Sequence, residues 1–242
     1  MDRSTQANTA NDTEALQRDD VVCRISTSAE LASVSSYPKP LEQIGFTGVV
    51  LPEGVNGDIS PIEQLGIRVY QDDGDRSFLD LASFSAQSDV SARAVWTELE
   101  RAPISTFGVD LTSGDRWHEA TTLLQMSISP VPIVPVNEAL LYSSQFREQR
   151  ELLRSAVFWR KRFEIARHQT NLIHAGEDGL LIFSVDSWLV SINQNTEEAG
   201  IDLGNHGSMW LMLGTQRDVH LHGSMLILPA YSAAVVANEL AR

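Results

Sequence analysis

The segment DLTSGDRWH, Asp110 to His118, brings two carboxylates, two hydroxyls and an imidazole into nine residues. Asp110 closes the apolar run STFGV, which reads as a strand, and His118 falls one turn into the helical pattern that follows, with Ser113 or Asp115 as its cap. A carboxylate beside an imidazole can bind a polar ligand and move a proton at neutral pH. Asp110 and His118 are therefore the candidate catalytic pair.

The same beat recurs wherever an apolar run ends. VVLP is followed by Glu53, RVYQ by Asp72 and Asp73, IVPV by Asn137 and Glu138, and LIFSV by Asp186. If these runs are parallel strands, the acids gather at the carboxyl edge of one sheet, where α/β folds place their sites. Carboxylates so gathered repel unless a cation or a proton intervenes. The pattern points to Mg²⁺ or Mn²⁺ held by Glu53, Asp72, Glu138 and Asp186, or to a carboxyl group of raised pKa acting as acid or base. The competing explanation is local, since Asp, Asn and Ser are favoured in turns and at helix starts for backbone reasons alone. QDDGD lacks the later ligands of a calcium loop and reads as an exposed turn.

The tetrapeptide HGSM occurs twice, at His206 to Met209 and at His222 to Met225, each time leading into an apolar stretch. His220 and His222, two apart on a strand, would share a face and could offer two imidazoles to a metal or substrate, with His206 as a third. GTQRDVHLH matches the opening of the cupin metal motif, but no Glu follows in the required place and too little chain remains for a second half-motif, so that family is rejected. Gly207 and Gly223 equally suit two turns that start strands.

Seven of the 18 basic residues lie between Arg147 and Arg167. Arg147, Arg150, Arg154 and Lys161 fall at helical spacing on one side, opposite a stripe of Leu152, Ala156, Trp159, Phe163 and Ala166. Such a face suits phosphate, an acidic protein partner or a second copy of the chain, unless it is only a solvated surface.

The elements that must position these groups alternate. VVCRIS, FTGVVLP, IRVYQ, STFGVDL and PVPIVPV read as strands. Between them lie helical PLEQIG (closed by Gly45), SPIEQLG, two stretches from Ser77 to about Arg101, and DRWHEATTLLQM; a long helical segment runs from Asn137 to about His174. After Gly176, LLIFSV, WLVSI, MWLML, VHLH and MLIL follow one another across short turns, so they should pair antiparallel, and Pro229 should open a final helix. The fold class is α/β: a largely parallel or mixed sheet with flanking helices and an antiparallel C-terminal part, in the manner of a distorted or incomplete βα barrel. Residues 1–18 form a flexible polar arm and 19–242 a single α/β domain.

A net charge of −14 argues against nucleic acid as the main partner and against an anionic membrane. The single cysteine, Cys23, lies inside a strand where a thiol is inert, and no secretory or membrane-spanning segment is legible, so a cytoplasmic protein is expected. Dinucleotide-binding, P-loop, nucleophile-elbow and zincin motifs are all missing; HEATT has Thr122 where the second zinc histidine belongs. Two functional readings stand. One is an enzyme or ligand-binding protein acting on a small molecule at the strand ends; the other is a non-catalytic assembly or adaptor subunit, in homo-oligomer or complex, using the arm and the helix 147–167.

Overall fold

The computed structural model describes residues 19–72, 78–80, 96–97, 105–176, 178–204 and 209–238. Its N-terminal half is built on six parallel strands: β1 (Val22–Arg24), β2 (Gly48–Leu51), β3 (Arg68–Gln71), β4 (Phe78–Asp80), β5 (Ser105–Phe107) and β6 (Val131–Pro135). They lie in the order β3-β2-β1-β6-β5-β4, with β1 paired in parallel to both β2 and β6. This is the circular order one to six, with the last strand beside the first and the row ending at β3 and β4. A doubly wound sheet would reverse direction about its first strand instead. The order is that of a βα barrel, with no β3–β4 pairing among the described residues.

Local sequence explains the helices. Helix α1 (Ser28–Ser36) starts in a reciprocal capping box between Thr27 and Glu30. Helix α2 (Lys39–Ile44) has a proline in its first turn and ends on Gly45 at φ 100°, a left-handed stop that glycine takes without strain. Helix α3 (Ser60–Glu63) leads into β3. Asp115 caps α4 (Arg116–Ile128), Asn137 caps α5 (Glu138–Tyr142), and α6 (Arg147–Arg162) follows across a 3-10 turn.

The two faces of the parallel sheet differ. Val22, Val50, Tyr70, Val131 and Ile133 form a small cluster on one face, while Val21, Cys23, Ile25, Val49, Leu51 and Val134 join the main core under the helices. Gly48 is required on the inner face because a Cβ there would stand 2.6 Å from the Tyr70 ring.

The C-terminal half is antiparallel. Strands β7 (Thr170–Ala175), β8 (Leu180–Val185), β9 (Trp188–Asn193), β11 (Met209–Gly214) and β14 (Ser232–Asn238) form a five-stranded sheet in the order β11-β14-β9-β8-β7. Strands β10 (Ala199–Asp202), β12 (His220–His222) and β13 (Met225–Leu228) form a three-stranded sheet. One face of the larger sheet, with Phe183, Val190, Ile192 and Val235, belongs to the same core as α4 and α6, and Trp188 packs edge-on against Trp159 at 6.0 Å. The other face packs on the smaller sheet through Ile182, Ile201, Leu226, Leu228 and Val236.

The fold class is as expected from the sequence, with several elements corrected. Thr170–Ala175 is strand β7 where helix was expected, and the segment after Pro229 is β14, paired with both β9 and β11. In each case pairing partners far along the chain override local helical spacing. Phe78–Asp80 is a strand paired with β5, not helix; the rest of that expected helical region, apart from Trp96–Thr97, lies outside the described residues, as do the arm 1–18 and His206. Helix α1 and strand β10 had no reading in the sequence. Among the described residues no helix is long and apolar enough to cross a membrane.

Candidate site at the strand ends

Asp110 stands at the carboxyl end of β5 and caps the 3-10 turn Leu111–Ser113. Its Oδ1 accepts from the Thr112 backbone N–H at 2.8 Å and the Thr112 hydroxyl at 2.7 Å, and Asn137 Nδ2, at the end of β6, donates toward it at 3.4 Å. Asn137 also donates to Thr112 Oγ1 at 3.0 Å while its own Oδ1 caps α5 through Leu140 N–H at 2.9 Å. Two neighbouring strand ends are thus laced together, and every one of these bonds to the Asp110 carboxylate falls on Oδ1. Oδ2 takes part in none of them.

His118 Nδ1 lies 2.9 Å from the Asp110 backbone carbonyl and 2.6 Å from Ser113 Oγ. A carbonyl only accepts, so the contact to Asp110 is a hydrogen bond when Nδ1 carries the hydrogen. Asp115 Oδ2 stands 3.8 Å from Nε2. Asp110 is exposed and His118 half-buried, so both are reachable from solvent.

Next to this segment is a cleft of about 700 Å³ between the first turns of α4 and α6 and the β11–β12 connection, with Arg116, Glu119, Glu148, Glu151, Arg217 and Asp218 on its walls; Asp110 and His118 do not line it. Glu119 is half-buried, and that desolvation pushes its carboxyl above the usual range; the Gln149 side chain, donating to Glu119 Oε1 at 3.0 Å, opposes the shift, nearby Glu148 adds to it and Arg116 works against it. Arg217 pairs with Glu148 across the cleft. Glu119 was not singled out in the sequence. The available signal was its place next to His118 at the start of an otherwise buried helix.

The remaining candidates are dispersed. Glu53, after β2, and Glu138, in the first turn of α5, are exposed, and Asp72, after β3, is half-buried. Among the described residues no three His, Cys, Asp or Glu side chains converge as a metal site. Asp186 does not join the strand-end acids, because β8 is antiparallel to both its neighbours; the residue sits at φ 53° in the turn between β8 and β9. His220 and His222 do share an exposed face of β12, and His220 Nδ1 is held by the Asp218 carbonyl at 2.7 Å. Gly223, at φ 63°, makes the second HGSM the turn between β12 and β13.

The basic helix α6 spends much of its charge inside the molecule. Arg150 donates to the carbonyls of Leu140 (2.7 Å) and Ser143 (3.1 Å), and Lys161 to that of Gly45 (3.2 Å). Arg160, buried, donates to the carbonyls of Met126 and Pro130, both at 2.8 Å. These three side chains close the C-terminal ends of α5, α2 and α4, where carbonyls lack helical partners and the dipole favours a cation. Arg147 and Arg154 are exposed, the latter 3.6 Å from Glu151. The buried stripe of α6 is Leu153, Ala156, Val157, Trp159 and Arg160, rotated from the expected one because Leu152 turns to the cleft. Cys23 is buried in β1, which pushes its thiol up.

No family model matches the chain, and no curated protein does. Solved structures match in fold. A putative α-amylase from Salmonella typhimurium aligns over 97% of this chain and 84% of its own, with TM-score 0.58 and 8% identity. A maltogenic α-amylase, AmyB, from Thermotoga neapolitana aligns over 91% of this chain and 99% of its own, with TM-score 0.53 and 8% identity. The debranching enzyme of Nostoc punctiforme, in crystals soaked with acarbose, aligns over 87% of this chain with TM-score 0.50 and 13% identity; the chain spans 60% of that enzyme. The likeness is one of fold, to barrel enzymes of the α-amylase type.

Proposed function

We propose that the chain is an enzyme of the α/β class that acts on a small saccharide at the strand-end edge of its parallel sheet. The observation that carries this reading is that one short segment, Asp110 to Glu119, holds two carboxyl groups in opposite settings. Asp110 is exposed and fixed as an acceptor by Thr112 and Asn137, while burial drives Glu119 toward its neutral form. A glycosidic bond is broken by one carboxylic acid that protonates the leaving oxygen and one carboxylate that stabilises or attacks the sugar carbon or activates water. Glu119 has the character of the first and Asp110 of the second. His118, held by the Asp110 carbonyl, adds a second polar group beside Asp110 for a hydroxyl-rich substrate. The amylase-like fold supports α-linked glucose oligomers as the first substrates to try.

The test is incubation with maltooligosaccharides, following new reducing ends and binding by calorimetry. Asp110→Asn and Glu119→Gln should each lower kcat by about 100-fold or more while the proteins stay folded, as loss of an acid or base group does. If the unaltered protein neither binds nor cleaves any such oligomer, or if both variants turn over like it, the reading is wrong.

A further inference from the structure

We infer that the C-terminal sandwich holds a second site, separate from the strand-end site, for a small ligand with an apolar body and a cationic head. The five-stranded sheet is wider than the three-stranded sheet that covers it. Beyond the edge of β10, the face of β7 and β8 is left open as a cavity of about 370 Å³. That size lies near the lower end of pockets that take small organic molecules. Its floor is apolar, with Ile182, Leu189 and Val236 from the larger sheet and Ile201 and Leu203 from the smaller, and Ile173 on its rim is 58% exposed.

The charged groups that line the cavity have one sign. Asp186 and Asp202 line the cavity, and no Lys or Arg does among the described residues. Asp202 accepts from Gly204 N–H at 3.0 Å and Ser224 Oγ at 2.9 Å, which hold its carboxyl below the usual range and keep it charged at neutral pH. An apolar trough with anionic groups at its mouth fits an arylalkylamine better than a neutral or acidic molecule of the same shape, because the chain fills the floor while the ammonium stays near the carboxylates. Asp186 belongs here rather than with the strand-end acids, and nothing in this inference requires the sugar reading.

The experiment is a calorimetric titration of the whole chain with three probes of one shape and three charges: 4-phenylbutylammonium, 4-phenylbutan-1-ol and 4-phenylbutanoate. The ammonium should bind about tenfold more tightly than the alcohol, the carboxylate should bind most weakly, and added salt should shrink the difference. The double variant Asp186→Asn, Asp202→Asn should bring the ammonium to the level of the alcohol; asparagine keeps both the positive φ at Asp186 and an acceptor at Asp202. Ser184→Phe, which fills the cavity from β8, should abolish binding of the ammonium and the alcohol at an unchanged Tm. Ile173→Ser, at an exposed position, should weaken both even if the filled variant does not fold. Absence of binding by all three probes, equal affinity for all three, or binding unaffected in both Ile173→Ser and a folded Ser184→Phe overturns the proposal.

Discussion

The two ends of the parallel sheet carry the same kinds of side chain in opposite settings. At the amino end, Asp20 is 3% exposed and accepts from Thr47 Oγ1 at 3.0 Å and Tyr70 OH at 3.2 Å, and it pairs with Arg68. At the carboxyl end, Asp110 is exposed and its hydrogen bonds fall on one oxygen. A buried carboxylate needs partners on all sides because water cannot reach it, so the lower cluster is committed to the fold. The upper cluster leaves Asp110 exposed with one carboxylate oxygen outside these bonds, and that spare capacity is what a site requires. In barrels of parallel strands the two ends divide stability and function in this way.

The sharpest way to break the comparison is at the lower end. Asp20→Ala removes the buried carboxylate that Arg68 and the Tyr70 hydroxyl both meet, and it should cost about 3 kcal/mol in urea unfolding. Should that variant fail to fold, Tyr70→Phe removes one hydrogen bond and should cost about 1 kcal/mol. Either variant, once folded, should bind ligand at the upper end as the unaltered protein does. Losses well below these values would mean that the lower cluster is not the structural one.

Next in size is Arg160, which ties the last turn of α4 to α6. Arg160→Met keeps the apolar stem but leaves the Met126 and Pro130 carbonyls without their charged donor, and about 2 kcal/mol of stability should go with it. Arg154→Met, on the exposed side of the same helix, should change stability by no more than about 0.5 kcal/mol. The pair separates the bases that hold the fold from those left to solvent.

What could be read in the sequence follows from the range of the interactions involved. Alternating apolar runs and turn residues are local, so five of the six parallel strands, the change to antiparallel pairing after Gly176 and the strand-end and cap positions of Asp110 and Asp115 are legible. Chain direction is not local. LIFSV and TFGV look alike and are each followed by Asp, yet β8 pairs antiparallel and β5 parallel, which sends Asp186 to a hairpin and Asp110 to the shared edge. AAVVAN has no strand alternation because both faces of β14 are covered by other layers, so small residues suffice. The helix-closing work of Arg150, Arg160 and Lys161 was hidden for the same reason: their acceptor carbonyls lie on α5, on α4 and its junction with β6, and on the end of α2, at distances along the chain that spacing does not encode. Glu119 was passed over because its character comes from burial against α6, and a sequence shows charge but not desolvation.

The smallest expected effect has the most informative sign. Glu119 holds its proton more tightly in the folded chain than in the unfolded one, so at neutral pH folding bears the cost of a half-buried carboxylate. The stability contributed by that proton is fully present below the ordinary carboxylate range and is lost as pH rises through the raised pKa of the folded state. Glu119→Gln removes the charge, keeps the shape and retains a group that Gln149 can meet. At pH 7 its Tm should therefore rise slightly, and the gain should fade as the pH is lowered through the raised pKa and vanish below the ordinary range. The same substitution should abolish turnover, so the upper end would gain stability by losing function while Asp20→Ala loses stability and leaves ligand binding intact. A Glu119→Gln protein that is less stable than its parent at pH 7 would place Glu119 with the structural cluster and erase the distinction between the two ends.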